Sequence, residues 1–247
     1  MKKVLFLLYG VTCYSVFLGA TLYAIGFAGN LFAGRSMDST PQMPLLSAAL
    51  INASLLLLCL ILHQLLTGTT VRKWIARYLP QPLERSTYIL TASCCLLLLM
   101  LRWQPMGGVV WQVEHTVLKM ILCIAYVGGW SIVFTSTFLI NHFELFGMRQ
   151  VWLLYQGKSY TPLPFRMPVF YKLVRHPLYV GFMIASWATP TMTVAHLLLA
   201  LFTTLYILVS VQFGDRDLLA GVSEQYRRYV RWVPLLMPFL KQLTERY

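Results

Sequence analysis

Between Leu178 and Phe213 the chain carries no Asp, Glu, Lys or Arg. A helix crosses the hydrocarbon core of a bilayer with about 20 apolar residues. Further apolar runs extend from Val4 to about Phe32, Leu45 to Leu66, Thr87 to Leu101 and His115 to Ile140. Only 11% of the 247 residues are charged, whereas a soluble domain carries about a quarter. The chain therefore reads as all-α: a polytopic integral membrane helical bundle of five to six transmembrane helices, ending in a helical hairpin. Residues 1–140 read as a four-helix scaffold, and 141–247 as a unit of loop, hairpin and basic tail.

The first run resembles a secretory leader, but it is too long for one and no polar cleavage region follows, so it reads as a span. The third run is short and is expected to extend into Arg102-Trp103. Residues Thr67 to Ser86 read as an inner loop, and Thr189-Pro190-Thr191 as the break of the hairpin. The first limb of that hairpin, about 18 Å of helix, is too short to cross on its own.

The formal charge of +12 suggests nucleic acid until its placement is considered. With these spans, 17 of the 20 Lys and Arg (all but Arg35, Arg102 and Lys119) fall on one side. That is the asymmetry of a cytosolic face. It puts both termini in the cytoplasm, implies a bilayer as partner, and leaves no call for nucleic acid. The five cysteines all lie in apolar runs without a CxxC pair, so neither a disulfide framework nor a zinc site is supported. The three histidines at inner ends of spans, His63, His142 and His176, lack the dense spacing of a di-iron site, and no metal is expected. No GxGxxG, GxxxxGK[ST] or GxSxG motif is present.

Chemistry concentrates at Arg175-His176-Pro177-Leu178-Tyr179. Proline suits the first position of a helix, whose N–H groups and partial positive charge attract an anion. Arg175 adds a guanidinium clamp, and Tyr179 projects one turn further along. A ligand carboxylate beside a ring would fit; membrane anchoring by Arg175 and Tyr179 is the plain alternative. The loop from Asn141 to Val174 is long, aromatic and Pro-rich, which favours a functional role over a connector.

VRHPLYVG, then a hairpin, a charged segment and EQYRRYVRWVPLLMP, together resemble the C-terminal region of isoprenylcysteine carboxyl methyltransferases, membrane enzymes that use S-adenosylmethionine. Across the whole chain the resemblance is closer to bacterial methanethiol S-methyltransferases, which make dimethyl sulfide. It is carried by YAIGFAGNL, LPQPLERSTYIL, NHFELFGMRQVW and SWATPTMTVAHLL. The resemblance implies that His176, Pro177, Leu178 and Tyr179 bind the cofactor S-adenosylmethionine and that Tyr171 lines its site. The family's Glu-Glu-x-x-Leu element reads Gly214-Asp215-Arg216-Asp217-Leu218, so Asp215 is the carboxylate left for the cofactor. Asn141 stands where Asp is expected, and Ser223 where Gly is usual. The implied reaction is methyl transfer to a small thiol in the bacterial inner membrane. His142 is the first candidate base and His63 the second; Arg175 is the alternative, lowering the thiol's pKa by its charge. Three other readings stay open: a related methyltransferase acting on another thiol or a lipid-linked carboxylate, an NADPH-dependent sterol-reductase-like enzyme, and a degenerate non-catalytic relative.

Overall fold

The computed structural model describes residues 2–31, 36–68, 71, 77–161, 163, 168–221, 229 and 232–236, without the side chains of 67 and 213–221. Its helices are α1 (Lys2–Ala28), α2 (Leu45–Thr67), α3 (Gln81–Arg102), α4 (Thr116–Ile140), α5 (His142–Leu145), α6 (Met148–Tyr155), α7 (Val169–Leu173), α8 (Pro177–Trp187) and α9 (Val194–Gly221). Strand β1 (Val109–Gln112) pairs with β2 (Thr191–Thr193). Val194 N–H donates to the Gly108 carbonyl and Val113 N–H to the Pro190 carbonyl, so the pairing is antiparallel.

Among the described residues, five helices are long and apolar enough to cross a membrane: Lys2–Ala28, Leu45–Leu66, Gln81–Arg102, Thr116–Ile140 and Val194–Gln212. The apolar α8 has 11 residues, about 16 Å of helix, against a hydrocarbon core of about 30 Å. One span differs from its sequence reading. Helix α3 starts at Gln81 rather than Thr87, with Pro80 extended at its N-cap and a proline in its first turn. Proline is preorganised for a helix start, and Glu84 and Arg85 then form polar early turns that hydropathy alone leaves in the loop.

The chain divides into two compact units. The first comprises 1–110, 141–164 and 193–196. In it α1 packs on α3, α6 on both, and α2 on α3. Small residues make these approaches close: a Cβ on Gly10 of α1 would stand 3.0 Å from the Val151 methyls of α6. Tyr9 and Thr87 share a hydrogen bond of 2.8 Å between α1 and α3. Asn52 of α2, fully buried, donates to the Gln104 carbonyl at 2.7 Å and accepts the Gln104 N–H at 2.9 Å. These bonds satisfy backbone groups just past the end of α3, which burial would otherwise leave unpaired.

The loop after Ile140 is not a plain connector. Asn141 caps α5 by accepting the Glu144 N–H at 3.1 Å, a task the oxygen of Asn performs as well as that of Asp. Glu144 in turn accepts from Arg149 (2.8 Å), Gln150 (3.1 Å) and Tyr160 (2.5 Å). Hydrogen bonding to that carboxylate pushes the Tyr160 phenol up. Gly147 sits left-handed at φ 85°, and a Cβ there would meet the Ser86 backbone N at 2.8 Å.

The second unit comprises 111–140, 165–192 and 197–247. Its centre is the contact of α4 with α8. Gly129 and Gly181 face each other, and a Cβ on Gly181 would stand 2.6 Å from the Gly129 carbonyl oxygen. Trp130 meets Phe182 edge-on, with ring centroids 5.6 Å apart, and Trp187 donates to Thr204 of α9 at 2.9 Å.

Candidate active site

The RHPLY element lies in the second unit, at the start of α8. Val174, Arg175 and Pro177 are buried, and His176 and Tyr179 partly so. His176 is the N-cap residue, with φ −126° and ψ 63°, and Pro177 opens the helix. Tyr179 and Val180 turn their N–H groups back to the His176 carbonyl, at 3.1 and 3.2 Å. The rings of His176 and Tyr179 stack at 5.5 Å with 25° between their planes. Spacing explains this: residues three apart share one face of a helix start.

Arg175 brackets the tail. Its Nε donates to the Val233 carbonyl at 2.8 Å, and its backbone N–H to the Pro234 carbonyl at 2.9 Å. The His176 N–H follows with the Leu235 carbonyl at 3.3 Å. Tyr171 of α7 donates to the Ser136 carbonyl of α4 at 3.4 Å, and its own carbonyl accepts from Tyr229 at 2.7 Å. Burial, with a lesser effect from Tyr229, pushes the Tyr171 phenol up, so it stays protonated. Residues 171–176, Tyr229 and Val233–Leu235 are thus joined by hydrogen bonds. Asp215 lies in the last turns of α9, and its side chain falls outside the described residues, as does that of Asp217. Ser223 lies outside them altogether.

His142 and His63 belong to the first unit. His142 is 3% exposed. Its Nε2 lies 2.7 Å from the Tyr14 hydroxyl of α1. Burial holds the imidazole below its usual pKa, which favours the neutral form. His63 of α2 pairs likewise with Tyr88 of α3 at 2.7 Å, and Arg85 lies over the Tyr88 ring at 5.7 Å. Among the described residues no group of three His, Cys, Asp or Glu is placed to hold a metal.

Sequence reasoning did not single out Tyr14, Tyr229, Ser136 or the Val233–Leu235 carbonyls. Tyr229 had a faint signal, standing among arginines in a segment quoted for its resemblance. Tyr14 had none, because any of the three tyrosines in a long apolar helix reads as an aromatic packing residue. Backbone acceptors have no signature in side-chain patterns.

The chain is 46% identical to a methanethiol S-methyltransferase of Crocosphaera subtropica over 240 residues, 97% of this chain and 94% of that protein. It is 45% identical to a methanethiol S-methyltransferase of Mycobacterium tuberculosis over 239 residues, 97% of this chain and 98% of the other. A more distant similarity, 31% over 189 residues, covers 73% of this chain and 68% of nurim from Sus scrofa. No family model matches. No solved structure matches.

Proposed function

The chain belongs to the methanethiol S-methyltransferase family, and from that premise we propose that it methylates methanethiol with S-adenosylmethionine, forming dimethyl sulfide. The observation that carries this reading is identity of 46% and 45% over nearly the whole of both relatives. The residues at the start of α8 fit such a donor: a stacked imidazole and phenol suit a ring, and a fixed guanidinium suits a carboxylate. S-Adenosylmethionine supplies an electrophilic methyl group on a sulfonium.

In this reading Tyr171, His176, Pro177, Leu178, Tyr179 and Asp215 hold the donor. Arg175 ties the tail to the helix start and keeps a positive charge beside it. His142, kept neutral by burial, accepts the thiol proton; a thiolate is the effective nucleophile. Buried, largely apolar surroundings suit a step that converts a cation and an anion into neutral products. Most cationic residues lie on one face, so we place the chain in the bacterial inner membrane with both termini cytoplasmic.

The test is direct. Purified protein given methyl-labelled S-adenosylmethionine and methanethiol is expected to release labelled dimethyl sulfide. Bound S-adenosylhomocysteine without any labelled sulfide would sink the reading. S-Adenosylhomocysteine at 100 times its Kd raises stability by about 2.7 kcal/mol. Tyr179→Ala is expected to abolish that shift, and an unchanged shift moves the donor elsewhere.

A further inference from the structure

We propose that the first turn of α1 and the end of α6 bind one anionic phospholipid. Its phosphate lies between Lys3 and Lys158, and an acyl chain runs along Val4, Leu8 and Val11. The inference does not depend on the reaction proposed above; it requires only that α1 crosses a bilayer. Helix α6 runs antiparallel along the start of α1. Gly10 against Val151 fixes one end of the pair. Lys3 marks the other, since a Cβ on Gly157 would stand 3.0 Å from its Nζ. Lys158 is the next residue, its Cα about 3.8 Å from that of Gly157. Lys2, Lys3, Gly157 and Lys158 are all exposed.

These ammonium groups are left without a counter-ion. Among the described residues neither Lys3 nor Lys158 joins an ion pair; Arg149 takes Glu144, and His196 lies by Asp38. Glu144 is further engaged by Gln150 and Tyr160. The last carbonyls of α6 are occupied too: Trp152 accepts from Gln156 at 3.0 Å, Leu153 from Lys158 at 2.9 Å and Leu154 from Gly157 at 3.0 Å. Lys3 is therefore not their cap, and its charge is available to an external anion. Directly beyond the lysines α1 exposes Val4, Leu8 and Val11, by 49%, 58% and 42%. Their spacing makes one stripe, about 10 Å long. On α6 the exposed rings of Trp152 and Tyr155 stack with centroids 5.6 Å apart, and such rings settle at headgroup level. Cation, aromatic ring and apolar stripe thus match phosphate, ester region and chain. A zwitterionic headgroup would bring its own cation to the lysines, so the site selects phosphatidylglycerol over phosphatidylcholine.

The experiment titrates each of these two lipids into the full chain in detergent and reads bound lipid by native mass spectrometry. A lysine beside an anionic headgroup contributes about 5-fold in affinity. Lys3→Gln with Lys158→Gln is expected to weaken the tightest phosphatidylglycerol binding about 25-fold. The corresponding pair of Arg variants, and Lys119→Gln on α4, are expected to bind as wild type does. Equal affinity in the double Gln variant and wild type overturns the proposal, as does equal wild-type affinity for the two lipids. Displacement of the lipid by glycerol phosphate at matched concentration assigns the lysines to a soluble phosphate and also overturns it. Phosphatidylglycerol with a photoreactive acyl chain is expected to label Val4 to Val11 of wild type; label confined to other segments overturns the proposal even if the variants fold poorly.

Discussion

Adjacent glycines in α4 give a sharp test of how the second unit is packed. A Cβ on Gly129 would lie 2.7 Å from the Ala185 backbone N and 2.8 Å from the Gly181 carbonyl oxygen, whereas one on Gly128 meets nothing within 4 Å. The atoms facing Gly129 are backbone of α8 and cannot swing aside. Relief requires the two helices to part by about 0.7 Å, and a gap of about 0.5–1 Å forfeits a quarter to a half of each dispersion contact along the seam. Overpacking of this kind costs about 1–3 kcal/mol. Either substitution to alanine also gains about 1 kcal/mol of helix propensity. That gain is common to both variants and cancels when they are compared. Gly129→Ala is therefore expected to be less stable than Gly128→Ala by about 1–3 kcal/mol, measured by reversible denaturant titration in mixed micelles. Equal stability, or Gly129→Ala the more stable, would refute the close contact of α4 with α8.

Three further outcomes are expected. Asn52→Leu removes both partners of the Gln104 backbone and should destabilise by about 1–3 kcal/mol for each buried group left unpaired, read in the same titration. Burial raises the Asp38 carboxyl, but the His196 imidazole 3.7 Å away and hydrogen bonds from Thr193 and Asn30 outweigh it and leave its pKa below the usual value. The folded value lies under the unfolded one of about 3.9, so the stabilisation is complete above that pH and lost as pH falls through the folded value. Thermal melts of wild type should fall steeply there, and those of Asp38→Asn should start lower and flatten. Arg175→Lys loses the Nε donor to the Val233 carbonyl; protease cleavage at residues 233–235 should accelerate, with weaker stabilisation by S-adenosylhomocysteine.

Much of the fold was legible in the chain because a bilayer filters sequences severely. Only long apolar helices satisfy their own backbone there, so the runs near Val4, Leu45, His115 and Val194 read as spans. The break at Thr189-Pro190-Thr191 was legible for the same reason, although the strand pairing of β2 with β1 was not. The start of α3 was missed because Glu84 and Arg85 lower hydropathy without ending a helix. At the site, His176, Pro177 and Tyr179 were readable as a helix start with a same-face aromatic. The role of Arg175 as a bracket was not, since its acceptors are carbonyls of residues 233 and 234.

Sequence alone determined that this chain carries several segments long and apolar enough to cross a membrane. That follows from side-chain transfer energies summed along single segments. Tertiary structure decided which of Gly128 and Gly129 meets a neighbour, and which tyrosine reaches His142. An apolar helix with no polar face carries no mark of its own rotation. Only the packed partner chooses the side that is turned inward.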